Sequence, residues 1–105
     1  MNKLAQRLLH HCTQVSPTLL ALSEETLRKR PAPGKWSKKE IIGHLVDSAS
    51  NNHQRFVRAM LGEQPVIRYE QDDWVMLQRY QTANSRELVG LWDLYNRHLA
   101  HLIAG

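Results

Sequence analysis

The sequence has a single cysteine, Cys12, among 105 residues, which excludes a disulfide framework and a cysteine-based zinc knuckle. No apolar run approaches the roughly 20 residues that cross a bilayer, so no membrane-spanning helix is expected. Aromatics are scarce at 7%. Alternating β-branched runs, hairpin turns and internal repeats are missing, which removes the β classes and the solenoids. The opening stretch, interrupted by Gln6, Arg7, His10 and His11, has no continuous apolar segment of the signal-peptide kind, and a cytoplasmic location is expected. With 42% hydrophobic residues, the chain has enough apolar material for one small core and is too short for two domains.

Charge is present but local. Fourteen Lys and Arg face ten Asp and Glu, a net +4. Arg28, Lys29, Arg30, Lys35, Lys38 and Lys39 lie together with no acid among them, leaving the remainder slightly acidic. Such a stretch attracts anions or nucleic acid. Trp36 is its only aromatic, so a solvated charged loop is the expected reading and no nucleic-acid partner is predicted.

The apolar periodicity is helical throughout, and the fold class is all-α. Leu4, Leu8, Val15, Leu19 and Leu22 mark one amphipathic stripe, and Cys12 falls on it as a small core residue. Pro17 either interrupts one long helix or opens a second one capped by Ser16. A short helical turn follows at Ser23-Glu24-Glu25, and then Arg30-Pro31-Ala32-Pro33-Gly34 forbids regular helix. Ser37-Lys38-Lys39-Glu40 has the form of a capping box, which starts a second long helix running to about Leu61, where Gly62 and Pro65 stop it.

At about 100° per residue, Ile42, Leu45, Ala49, Phe56 and Met60 share one face of this helix, and His44, Asp47, Asn51 and Arg55 share another. His53 points away from His44. Asp72 or Asp73 is expected to cap a short helix from Trp74 to about Gln81, and Ser85 to cap a last one. Leu88, Leu91, Trp92, Tyr95, Leu99, Leu102 and Ile103 mark the apolar face of that last helix. Three amphipathic helices cover one another less completely than four, so a fourth partner helix or a second copy of the chain is expected, and a homodimer is predicted.

Six histidines raise the question of a metal, since neutral imidazole is a common transition-metal ligand. His10 and His11 are adjacent and project about 100° apart, a surface pattern. His98 and His101, three apart on the last helix, form a HxxH pair, which is a weak signal without a third ligand, and helix-surface or packing roles are expected of them. His44, on a polar stripe with Asp47 one turn on, is the stronger candidate.

The string Pro31-Ala32-Pro33-Gly34-Lys35-Trp36-Ser37, then Glu40-Ile41-Ile42-Gly43-His44-Leu45-Val46-Asp47-Ser48 and Arg55, resembles the opening motif of the DinB/YfiT-like superfamily. The likeness continues more loosely through Gln71-Asp72-Asp73-Trp74-Val75, the Gln78 and Tyr80 pair, and Leu91-Trp92 with Tyr95-Asn96-Arg97-His98-Leu99. It implies a DinB-like four-helix bundle of up-down-down-up type, represented in residues 1–105 by its first three long helices and a short one. It also implies a divalent metal, zinc or nickel, held by three histidines. His44 matches the first of these, and the other two belong to a fourth helix expected beyond Gly105. No catalytic residue is assigned.

The activity implied is a metal-dependent thiol S-transferase or hydrolase, in which the ion lowers the pKa of a bound water or thiol, with a small-molecule thiol or electrophile as substrate. Asp47 is a candidate to orient the His44 ring, the bland alternative being a carboxylate paired with Arg55 or solvent. Asn51 and Arg55 are candidates to line the pocket, or else part of a structural polar network. The alternative to an enzyme is a non-catalytic helical interaction module using an exposed apolar groove.

Overall fold

The computed structural model describes residues 2–105 and contains five α-helices and one 3₁₀ turn among them. They are α1 (Lys3–Leu20), α2 (Glu24–Arg28), α3 (Lys38–Met60), α4 (Gln71–Gln78), the 3₁₀ turn Tyr80–Thr82, and α5 (Ser85–Ala104). Central α5 packs along both α1 and α3, which share no comparable interface with each other. The three long helices therefore occupy three corners of a bundle, with α5 between the other two. Cys12 from α1, Leu27 from α2, Ile42 and Val46 from α3, Val75 from α4, and Leu88, Val89 and Trp92 from α5 meet in one core, against which Trp36 and Leu19 pack.

Asn2 caps α1, its Oδ1 accepting from Leu4 N at 2.8 Å. Pro17 lies inside α1, which settles the choice left open above in favour of one helix. The proline falls in the last turn, so the helix forgoes one amide donor near an end where few bonds depend on it. Leu4 is 59% exposed, and Ala5 takes the buried place expected for it.

The Ser37 capping box forms as expected: Glu40 N donates to Ser37 Oγ and Ser37 N donates to Glu40 Oε1, each at 3.1 Å. At the other end, Glu63 N bonds Arg58 O and Gly62 N bonds Ala59 O with Gly62 at φ 84°, the Schellman arrangement that glycine permits.

Four expectations need correction. The short helix begins at Gln71, so Asp72 and Asp73 lie in its first turn instead of capping it, and the N-cap residue Glu70 makes no side-chain cap. The helix stops at Gln78 because Arg79 adopts φ 51°, a left-handed conformation that reverses the chain into the 3₁₀ turn. Asn84, not Ser85, caps α5, accepting from Glu87 N at 3.0 Å. Leu45, Met60 and Leu91 are exposed: the core face of α3 centres on Ile42, Val46 and Ala49, and on α5 Trp92 turns inward in place of Leu91.

The fourth correction concerns the basic stretch. Lys39 is not solvated; it is buried, and its Nζ donates to Glu24 Oε1 at 2.6 Å and to Gln81 O at 3.2 Å. Arg30 is also engaged, pairing through Nε with Glu40 Oε1 at 2.9 Å. No helix among the described residues is long and apolar enough to cross a membrane.

Candidate metal centre

The first half of α3 carries the candidate site, and the capping box fixes where that helix begins. Ser37 Oγ also donates to Gln81 Oε1 at 2.7 Å, and Gln81 Nε2 donates to Arg28 O at 3.0 Å. Together with Lys39, these bonds fasten the 3₁₀ turn to the start of α3. Arg79 then directs Gln78 and Tyr80, the residues on either side of it, toward Asp47.

Asp47 is 1% exposed. Its Oδ1 accepts from Tyr80 Oη at 2.5 Å and from Gln78 Nε2 at 2.8 Å. Burial, reinforced by the bond to Asp47, pushes the Tyr80 hydroxyl well above its ordinary pKa, so it stays a neutral donor. Asp47 Oδ2, by contrast, is buried with no partner.

His44, one turn earlier on α3, is half-buried and lies against Trp36 with ring centres 5.0 Å apart. Its Nδ1 is likewise buried with no partner. His44 Nδ1 and Asp47 Oδ2 are the two side-chain atoms among the described residues in that condition. A buried polar atom left unsatisfied costs about 1–3 kcal/mol.

The rest of the polar stripe is structural. Asn51 is buried and spends its amide on Asp47 O at 2.8 Å. Arg55 does not meet Asp47; its guanidinium holds Asn52 Oδ1 at 2.8 Å and the Ile67 carbonyl, anchoring the segment between α3 and α4. These bonds give Arg55 a loop-tethering part, in line with the structural alternative stated for it.

The remaining sequence candidates separate cleanly. Cys12 is buried, its sulfur 3.9 Å from Asp93 O, and burial raises its thiol pKa, as fits a core residue. His10 and His11 are exposed. His98 and His101 lie on α5, apart from His44, and His53 faces α5 as its angular position requires. Trp92 is core, whereas Trp74 is partly exposed against Tyr69.

His44 suits a metal, since a buried ring nitrogen without a partner, one helical turn from a carboxylate oxygen that also lacks one, leaves the second ring nitrogen available as a ligand. It supplies one ligand, and in their present positions no three His, Cys, Asp or Glu side chains among the described residues converge to hold an ion. The geometry therefore provides part of a site. Sequence reasoning missed the buried Lys39 and the Gln81 bonds, because their partners lie more than 14 residues away along the chain.

Comparison with known proteins places this geometry in a family. YfiT of Bacillus subtilis is 35% identical over 71 residues, 66% of this chain and 40% of its own length. OB0782 of Oceanobacillus iheyensis is 34% identical over 64 residues, 60% of this chain and 37% of its own. BH0277 of Halalkalibacterium halodurans is 29% identical over 79 residues, 74% of this chain and 46% of its own. All three are named "putative metal-dependent hydrolase". The chain thus spans less than half the length of the curated relatives it matches. No solved structure matches it. The family model described as the DinB superfamily matches residues 6–104, and the chain belongs to that superfamily.

Proposed function

We propose that this chain supplies His44 as one ligand of a divalent metal site, zinc or nickel, in a hydrolase or thiol S-transferase acting on a small-molecule electrophile. The observation that carries the reading is the pair of unpartnered buried atoms, His44 Nδ1 and Asp47 Oδ2. A water between the two, accepting from Nδ1–H and donating to Oδ2, would satisfy both groups and leave the Nε2 lone pair as the ligand.

Tyr80 and Gln78 hold the other carboxylate oxygen, so Asp47 keeps its orientation while serving the imidazole. Trp36 covers one face of the ring and limits its rotation. An ion bound there would supply a water or thiol of lowered pKa. The remaining ligands come from outside this set of residues, in the longer relatives' architecture or in a second copy of the chain. Ile41 and Leu45, exposed next to His44 in the helix, support a homodimer that covers them. A cytoplasmic location accords with a small-molecule thiol substrate.

Metal content of tag-free protein, dialysed against a weak chelator, tests the assignment. The unaltered chain should hold more zinc or nickel than the His44→Ala chain, and equal content in both would overturn it. Light scattering across micromolar concentrations should show a dimer, and a monomer throughout would contradict that part.

A further inference from the structure

The HxxH pair of α5 acquires a third histidine from α3. His53 lies with its ring edge-on to His98, centres 5.4 Å apart and planes at 80°. His98 in turn lies 6.2 Å from His101, with planes at 32°. Two imidazoles that share one ion through nitrogens at about 2.0–2.1 Å have ring centres roughly 4.5 to 5.5 Å apart at octahedral to tetrahedral angles, so the first separation suits a shared ion and the second requires the exposed His101 to turn toward His98. His53 Nδ1 is 2.8 Å from Tyr95 Oη, which leaves Nε2 as its free nitrogen. A histidine whose second nitrogen is held by a neighbouring polar group is the usual form of a metal-binding imidazole.

We propose that His53, His98 and His101 form a second metal site, separate from His44, that takes a borderline divalent transition ion such as zinc, nickel or cobalt. Three neutral imidazoles favour such ions over magnesium or calcium, which prefer oxygen. The three nitrogens do not yet converge on one point. His98 and His101 are exposed, so rotation of their side chains brings the nitrogens round without moving the backbone. Tyr95 positions the ring of His53, and the fourth coordination place is left to water. An ion held there ties α3 to α5. This inference does not depend on metal binding at His44.

The test uses the tag-free His44→Ala chain titrated with cobalt(II) alone, followed by its visible absorption. Saturable binding of one ion per chain is expected. Added to that background, His53→Gln, His98→Gln or His101→Gln should each abolish saturation, and Tyr95→Phe should weaken binding about tenfold. His98 and His101 are exposed, so their variants keep the fold, which circular dichroism verifies. Absence of saturable binding in the His44→Ala chain, or binding that survives His53→Gln undiminished, would overturn the proposal.

Discussion

The ring of Tyr80 occupies the space that a side chain on residue 43 would need. A Cβ built on Gly43 would lie 2.1 Å from Tyr80 Cδ2 and 2.3 Å from Cγ, far inside contact distance. The 3₁₀ turn can bring the Tyr80 hydroxyl to Asp47 only because α3 presents bare backbone one turn earlier, between Ile42 and His44.

Gly43→Ala should therefore reverse the usual sign of its substitution. In an unobstructed helix interior it would stabilise by about 1 kcal/mol. Here overpacking against the ring should cost about 2 kcal/mol net and displace Tyr80 from Asp47. Denaturant unfolding measures the first effect, and the loss of protection of the Tyr80 ring environment in NMR spectra measures the second.

Tyr80→Phe keeps the packing and removes one donor from a buried carboxylate. A loss of about 2 kcal/mol is expected. Gln78 is exposed, so water can replace its amide, and Gln78→Ala should cost less than about 1 kcal/mol. Chemical denaturation of the two variants side by side checks the ordering.

Lys39 separates charge from packing. Its stem is buried while Glu24 is half exposed, so removing the ammonium does not strand a buried carboxylate. Lys39→Ala opens a cavity and should cost about 2 kcal/mol. Lys39→Met retains the stem and should stay within about 1 kcal/mol of the unaltered chain. Thermal melts of both resolve the difference.

Acid should weaken the fold through Glu40. The hydrogen bond from Arg30, helped by the amide of Ser37, holds its carboxyl below the ordinary glutamate range of about 4.3. The folded pKa is the lower one, so this contribution is fully present above the unfolded value and is lost as pH falls through the folded one. Glu40→Gln should flatten the acid limb of the stability curve, read from denaturation midpoints between about pH 5 and 3.

How far the sequence disclosed this structure follows from the range of the interactions. Ser37 with Glu40, Gly62 with Ala59, and Glu63 with Arg58 act within one or two turns, so the ends of α3 were legible. The start of α4 was not, because Glu70 makes no side-chain cap that could have announced it. Leu45 and Val46 are neighbours in sequence, and only the placement of the elements packed on α3 decides which of them is buried. At the candidate site, His44 and Asp47 stood out as one stripe, but the donors to Asp47 come from Gln78 and Tyr80, 31 and 33 residues later. The juxtaposition of His53 with Tyr95 spans 42 residues and was equally beyond local pattern.

Long-range proton–nitrogen correlation spectra of the imidazoles, recorded on the tag-free chain before and after adding zinc, would test the central claim most directly. They report each histidine separately. His44 should carry its proton on Nδ1, this preference should be lost in Asp47→Asn, and zinc should shift the His44 Nε2 resonance. A His44 ring protonated on Nε2, or one that zinc leaves unmoved, would contradict the claim.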